Sequence, residues 1–118
     1  MNAELKRLHS PDIYDLENYK PESPTSFNFL LQAMIGPAGE DGEESFDIDV
    51  CTPKWIEENC EQDVVLIGRH YLIVREYNYK KIDEFIRKFL LSCVGEDWNE
   101  VANKVARLGF WEFEDYES

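Results

Sequence analysis

The sequence predicts an α+β fold, in which an antiparallel sheet of four to five strands has two or three helices packed on one face. Two apolar strand segments in the first half of the chain and two amphipathic helical segments in the second half support this prediction. Strands and helices do not alternate regularly, which argues against a parallel α/β sheet. With 118 residues, of which 43% are hydrophobic, we expect a single domain over residues 1–118.

The first half of the chain is predicted to supply most of the sheet. A possible short strand over Glu4–Leu8 is followed by a proline-containing, turn-rich segment and then by a buried strand over Phe27–Ile35. The segment Ser45–Thr52 alternates apolar and acidic residues, which is typical of a half-buried strand. Because only a short glycine-containing turn separates the last two segments, we predict that they form a hairpin.

Capping residues and apolar periodicity predict three helices. Thr52-Pro53 combines a hydroxyl N-cap with a proline at the first helical position. From about Tyr79 to Ser92, apolar residues recur with helical spacing and form one stripe. Asp97 opens a third helix as a variant of the capping box, and Gly109 is predicted to end it.

Further strands are predicted in the second half of the chain. Val64–Ile67 and Tyr71–Arg75 are apolar and β-branched, which favours two short strands or one interrupted strand. The C-terminal segment Phe110–Tyr116 alternates again, so that Trp111 and Phe113 are expected on one side. The residues expected on the opposite, outward side are Phe110, Glu112, Glu114 and Tyr116.

The chain is strongly acidic. It contains 25 acidic and 12 basic residues, which gives a net charge of −13. Such a charge disfavours nucleic acid and anionic membranes as partners and attracts basic proteins. No apolar run is long enough to span a membrane, and the N-terminus lacks a signal-peptide core, so we expect a cytoplasmic protein. The three widely spaced cysteines are typical of reduced thiols.

No group of residues has the spacing of a catalytic or metal centre. His9 and His70 lie far apart and no C-x-x-C is present, so we predict no zinc site and expect His70 to be a hydrogen-bonded structural residue. The glycine-rich segment 36–42 lacks the Lys-Ser/Thr of a phosphate-binding loop. We therefore predict no catalytic residue, no cofactor and no enzymatic activity. An enzyme of unrecognised type would require a concave pocket with strongly perturbed titrating groups.

The acidic residues are concentrated in two segments without bases. Residues 40–49 contain six acids and residues 112–117 contain four. Acidity alone also serves solubility, but like charges on neighbouring strands cost stability, which makes these segments unusual. If the two segments are adjacent, their carboxylates suit a basic groove on a partner. The residues that we expect to contact such a partner are Glu40, Asp41, Glu43, Glu44, Asp47, Asp49, Glu112, Glu114, Asp115 and Tyr116.

Several short runs, taken together and in order, resemble the immunity protein 8 family of bacterial polymorphic toxin and contact-dependent inhibition systems. The runs are Met34–Pro37, Gly42–Asp47, Val50–Trp55, Gly68–Val74 and Trp111–Tyr116. The resemblance implies a cytoplasmic antidote that binds the C-terminal domain of a cognate toxin and blocks it. Many toxins of these systems are nucleases, and an acidic inhibitor complements a basic nuclease cleft. The tryptophans of the matching runs are expected to be packing residues.

Two functional hypotheses follow from these observations. The first is an immunity protein that neutralises a basic toxin domain, expected to be a nuclease, by occluding its active site. The alternative is an acidic nucleic-acid mimic or adaptor that binds a basic host protein. The breadth of binding separates them, because a mimic should compete with nucleic acid on several basic proteins, whereas an immunity protein should bind one.

Overall fold

The computed structural model of the protein describes residues 1–60 and 65–114. Within these residues the chain forms five strands and three helices, which confirms the predicted α+β fold. In chain order they are β1 (Ala3–His9), β2 (Asn28–Pro37), β3 (Glu44–Cys51), α1 (Pro53–Asn59), β4 (Tyr71–Ile73), α2 (Tyr79–Leu90), α3 (Trp98–Val105) and β5 (Phe110–Trp111).

The sheet is mostly antiparallel and is organised around β3. β2 pairs antiparallel with β1 on one side and with β3 on the other. The second edge of β3 is shared by two short strands, because β4 pairs with its C-terminal half and β5 with its N-terminal half. The β3–β4 pair is parallel, which departs from the all-antiparallel sheet expected from the sequence. The chain between them passes through α1, a crossover connection that parallel pairing requires.

The predicted hairpin is confirmed as the β2–β3 pair. Its core-facing cross-strand pairs include Leu31 with Ile48 and Ala33 with Phe46, and all four side chains are buried. At the turn end the two arms come so close that a Cβ on Gly36 would lie 2.0 Å from the carbonyl oxygen of Gly42. Only glycine fits at that contact, so this residue fixes how closely the acidic turn folds back on the sheet.

Two helices cover one face of the sheet. Ile82, Ile86 and Leu90 of α2 are buried in the same hydrophobic cluster as the inward-facing residues of β2 and β3. α3 adds its own buried stripe, and the side chains of Asn78 and Asp97 cap the two helices by accepting backbone N–H groups. α1 begins after the predicted Thr52 cap but buries none of its residues.

Two sequence-based strand predictions are corrected by the structure. The apolar run Val65–Ile67 forms no strand and is exposed, whereas Val64, which belonged to the same prediction, lies outside the described residues. In the described part of the C-terminal segment, Phe110–Trp111 is a strand and residues 112–114 form a turn. For Val65–Ile67, local β propensity does not suffice, because β4 and β5 occupy the second edge of β3. After Trp111 the chain turns instead, and the backbone N–H of Glu114 donates to the backbone oxygen of Trp111 at 2.8 Å.

Gly109 does not end α3 as predicted. The helix ends at Val105, four residues earlier, with Ala106 in a right-handed helical conformation at the cap. Gly109 instead lies against β3, where an added Cβ would be 3.0 Å from Ile48 Cγ1 and 3.0 Å from the carbonyl carbon of Phe46. The glycine thus allows the chain to approach the sheet closely just before β5 begins.

Candidate functional site

The face of the hairpin opposite the helices carries acidic side chains. Strand alternation turns Asp47 and Asp49 of β3 away from the core, beside outward-facing polar residues of β2. Ser45 Oγ donates a hydrogen bond to Asp47 Oδ1 at 2.8 Å, and the Asn28 amide donates to Asp49 Oδ1. These donors are neutral, so they orient the two carboxylates without cancelling their charge.

Glu112, the first acid of the second acidic segment, lies directly beside the first segment. In the antiparallel β3–β5 pair, Asp47 is opposite Phe110 and Phe46 is opposite Trp111, and Glu112 follows immediately. A concavity of about 370 Å³ lies at this junction, which we call the acidic concavity. Its lining residues are Gln32, Glu43, Glu44, Ser45, Asp47, Phe110 and Glu112. Among the described residues of the second segment, the adjacency on which the sequence hypothesis depended is therefore present for Glu112.

Four carboxylates and one aromatic ring give the acidic concavity its chemistry. No Lys or Arg is among its lining residues. The ring of Phe110 is 51% exposed and lies within this group of acids. An exposed aromatic ring with carboxylates around it can contact both the apolar stem and the charged head of a basic side chain.

Glu44 differs from the other acids of the concavity because its carboxylate is bonded to two tryptophans. Its Oε1 accepts a hydrogen bond from Trp98 Nε1, and its Oε2 accepts one from Trp111 Nε1 at 2.7 Å. Trp111 is only 4% exposed and stacks on Phe46, as expected for a packing residue. No local pattern predicts these bonds, since the three residues lie far apart in the chain.

The acids of the hairpin turn lie beside the concavity rather than in it. Glu40 and Asp41 are exposed in the turn and do not line the cavity. Glu43 does line it, and its carboxylate accepts a hydrogen bond from Arg7 Nε of β1 at 2.9 Å. The Arg7 contact, which sequence reasoning missed, reduces the net negative charge at this end of the site.

Glu114 does not face outward beside Glu112, so this part of the sequence prediction is wrong. Its side chain is 8% exposed and forms an ion pair with Arg69. The turn at residues 112–114 replaces the predicted strand, so the side-chain alternation on which the prediction relied is lost. Asp115 and Tyr116, the other two predicted contact residues of this segment, lie outside the described residues.

His70 is a structural residue, as predicted. Its ring Nε2 lies 2.8 Å from the backbone oxygen of Ala106, to which it donates, and 3.6 Å from Glu114 Oε1. The residue adopts a φ of +69°, a left-handed conformation uncommon for a side chain other than glycine. Arg69 and His70 therefore anchor the turn at residues 112–114 next to the start of β4.

A larger groove of about 500 Å³ lies between β4 and α2, but its chemistry is less distinctive. Its lining combines apolar side chains such as Leu72, Ile82 and Phe85 with charges of both signs. Over residues 1–60 and 65–114, no cluster of His, Cys, Asp and Glu could hold a metal ion. In the same part of the chain, no helix is long and apolar enough to cross a membrane.

The fold and the acidic concavity together define a class of small, acidic α+β protein. Comparison with protein-family models identifies that class more closely, because the model described as Immunity protein 8 matches residues 3–116. The chain belongs to the Immunity protein 8 family, as the resemblance in its sequence implied. No curated protein and no solved structure matches the chain. Membership supports an immunity protein that binds a cognate toxin and indicates a non-enzymatic role.

Proposed function

We propose that this protein neutralises a basic toxin domain, a nuclease, by placing the acidic concavity over its active site in the bacterial cytoplasm. The observation that carries the proposal is the β3–β5 register, in which Asp47 lies opposite Phe110. This register places Glu112, the first acid of the second segment, beside Asp47 of the first segment.

Charge complementarity supports a nuclease as the partner. A nuclease cleft binds phosphates through lysine and arginine side chains, so it presents a positive surface. The carboxylates of Asp47, Glu43 and Glu112 would steer such a cleft toward the concavity and fix its orientation. A basic side chain that reaches the exposed ring of Phe110 would supply the desolvated centre on which tight binding depends.

The first experiment uses the reading frame encoded next to this protein. The C-terminal domain of its product is expressed in a sensitive host, with and without the immunity protein, and growth and co-purification are followed. Rescue together with a stable complex supports the proposal, and a nuclease assay on the purified toxin domain then tests the toxin class. Persistent toxicity in the presence of folded immunity protein would contradict it.

Matched variants test whether the concavity is the binding surface. Asp47→Lys combined with Glu112→Lys reverses two charges at the junction of β3 and β5. Glu57→Lys combined with Glu84→Lys makes the same change of net charge on exposed helix positions outside the concavity. We expect only the first pair to abolish rescue. Binding to several unrelated basic proteins, lost in competition with DNA, would instead favour a nucleic-acid mimic.

A further inference from the structure

Glu44 connects three elements of the fold through one carboxylate. It is the first residue of β3, and strand alternation places its side chain on the same side as the buried Phe46 and Ile48 neighbours, toward the helices. One oxygen accepts from Trp98 of α3 and the other accepts from Trp111 of β5. Since both donors are neutral indole N–H groups, the carboxylate keeps its negative charge.

Through its hydrogen bond with Trp111, Glu44 holds β5, a strand that needs additional support. β5 consists of Phe110 and Trp111 alone, and two residues of ladder are too few to fix a strand on a sheet. The residues on either side of Trp111 are Phe110 and Glu112, which form one wall of the acidic concavity. The position of that wall relative to Asp47 therefore depends on what holds Trp111.

We propose that Glu44 is a positioning residue for toxin binding, an inference that rests on the proposed function. It holds Phe110 and Glu112 in the docking geometry through Trp98 and Trp111, and it does not contact the toxin. Both of its oxygens already accept hydrogen bonds within the protein, whereas Asp47 accepts them from Ser45 and Gln32 at Oδ1. Glu112 is exposed. The ion pair of Glu114 with Arg69 restrains the other end of the same segment.

Three variants distinguish the effect of the Glu44 charge from the effect of its side-chain length. Glu44→Asp keeps the negative charge but is one methylene shorter, so it cannot reach both indoles. Glu44→Gln keeps the length but replaces one acceptor oxygen with an amide that faces an N–H donor. Asp47→Asn is the matched control, because it removes one charge from the same concavity without disturbing the tryptophans.

Indole N–H signals test the contact in the free protein, without the toxin. In an ¹H–¹⁵N spectrum of the wild type, the signals of Trp98 and Trp111 should be shifted downfield and exchange slowly with solvent. Both Glu44 variants should move these two signals, and Asp47→Asn should not. Trp55 of α1 serves as the internal reference. Unchanged indole signals in Glu44→Gln would overturn the proposed contact.

Binding kinetics with the toxin domain test the consequence. Both Glu44 variants should dissociate about tenfold faster, about 1.4 kcal/mol of affinity, with association changed by less than about twofold. Asp47→Asn should mainly slow association, most strongly at low salt. If Glu44→Asp binds like the wild type and Glu44→Gln like Asp47→Asn, Glu44 is a contact charge and the proposal is wrong.

Toxin binding by the protein and the positioning role of Glu44 can be disproved separately. If the toxin domain does not bind the wild type, the proposed function fails, while the indole spectra still decide whether Glu44 holds the two tryptophans. If a Glu44 variant does not fold, Trp98→Phe and Trp111→Phe each remove one donor and leave the carboxylate in place. Those variants should show the same faster dissociation, and unchanged dissociation in both would contradict the positioning role.

Discussion

Asp47 of β3 and Phe110 of β5 lie directly opposite each other in the antiparallel register of the two strands. This pairing brings Glu112, near the end of the chain, next to the acidic segment of residues 40–49. Helices α2 and α3 cover one face of the sheet. The side chains of Asp47 and Phe110 lie on the other face, which the helices leave open. The same register places an aromatic ring among four carboxylates, which is the arrangement expected of a surface that binds basic side chains.

The acidic concavity should control the rate of association with a basic toxin. Asp47→Lys combined with Glu112→Lys should slow association about tenfold at about 0.02 M salt and less than about twofold at about 0.5 M salt, because salt screens steering charges. Stopped-flow measurements over a salt series check this expectation. Equal slowing by the Glu57→Lys and Glu84→Lys pair would show that net charge, rather than this surface, steers association.

The neighbouring acids Glu112 and Glu114 should have different roles. Glu114 is 8% exposed and paired with Arg69, so Glu114→Gln should lower the free energy of unfolding by about 1–3 kcal/mol. Glu112 is exposed, and Glu112→Gln should change the free energy of unfolding by less than about 0.5 kcal/mol. Urea denaturation of both variants measures the difference. Equal stabilities would contradict a stabilising role for the ion pair of Glu114 with Arg69.

The hairpin should not tolerate a side chain at Gly36. An added Cβ would lie 2.0 Å from the Gly42 carbonyl oxygen, so Gly36→Ala must push the two arms of the hairpin apart. We expect a loss of about 2–3 kcal/mol of unfolding free energy. Gly68→Ala is the control, since nothing lies within 4 Å of a Cβ at that position. A Gly36→Ala variant as stable as Gly68→Ala would contradict the close approach.

Local sequence signals predicted the fold where one segment carries its own periodicity or cap. The hairpin, α2 and the Asp97 cap follow from alternation, an apolar stripe and a capping box, each readable within a few residues. Val65–Ile67 shows the limit of such signals. Its composition favours a strand, but whether a segment joins a sheet depends on a free edge, which is a property of the whole fold.

The candidate site was predictable in composition but not in geometry. The acids of both segments can be named from the sequence, but the β3–β5 register that brings Glu112 beside Asp47 cannot. The partners of Glu44 and Glu114 could not be named, because Trp98, Trp111 and Arg69 reach them from distant parts of the chain. Those contacts depend on how α3 and the loop before β4 pack on the sheet.

Of the three thiols, Cys60 should react first. Cys51 and Cys93 are 0% and 1% exposed, and burial raises the pKa of both thiols, so few thiolate anions are available to react. Cys60 is partly exposed at the end of α1. Under native conditions an Ellman-type reagent should modify about one thiol quickly, and Cys60→Ser should remove that phase. A fast phase that survives this substitution would contradict the burial of the other two.

Tyr77 should make the protein less stable at alkaline pH. Its ring packs edge-on against Tyr19 and Phe29, and its hydroxyl donates to the backbone oxygen of Leu16. Burial is the main reason that its pKa is raised from 10.0 to about 12, with smaller contributions from nearby Tyr79, Tyr19 and Asp15.

The direction of the pH effect follows from which state holds the proton. Between pH 10.0 and about 12 the folded protein keeps the Tyr77 proton while the unfolded chain releases it. The free energy of unfolding is therefore unaffected below this range and falls as the pH rises through it. Tyr77→Phe should flatten the fall when urea denaturation is repeated across the range. Tyr14→Phe, at a fully exposed ring, is the control, and equal slopes for the two variants would contradict the burial of Tyr77.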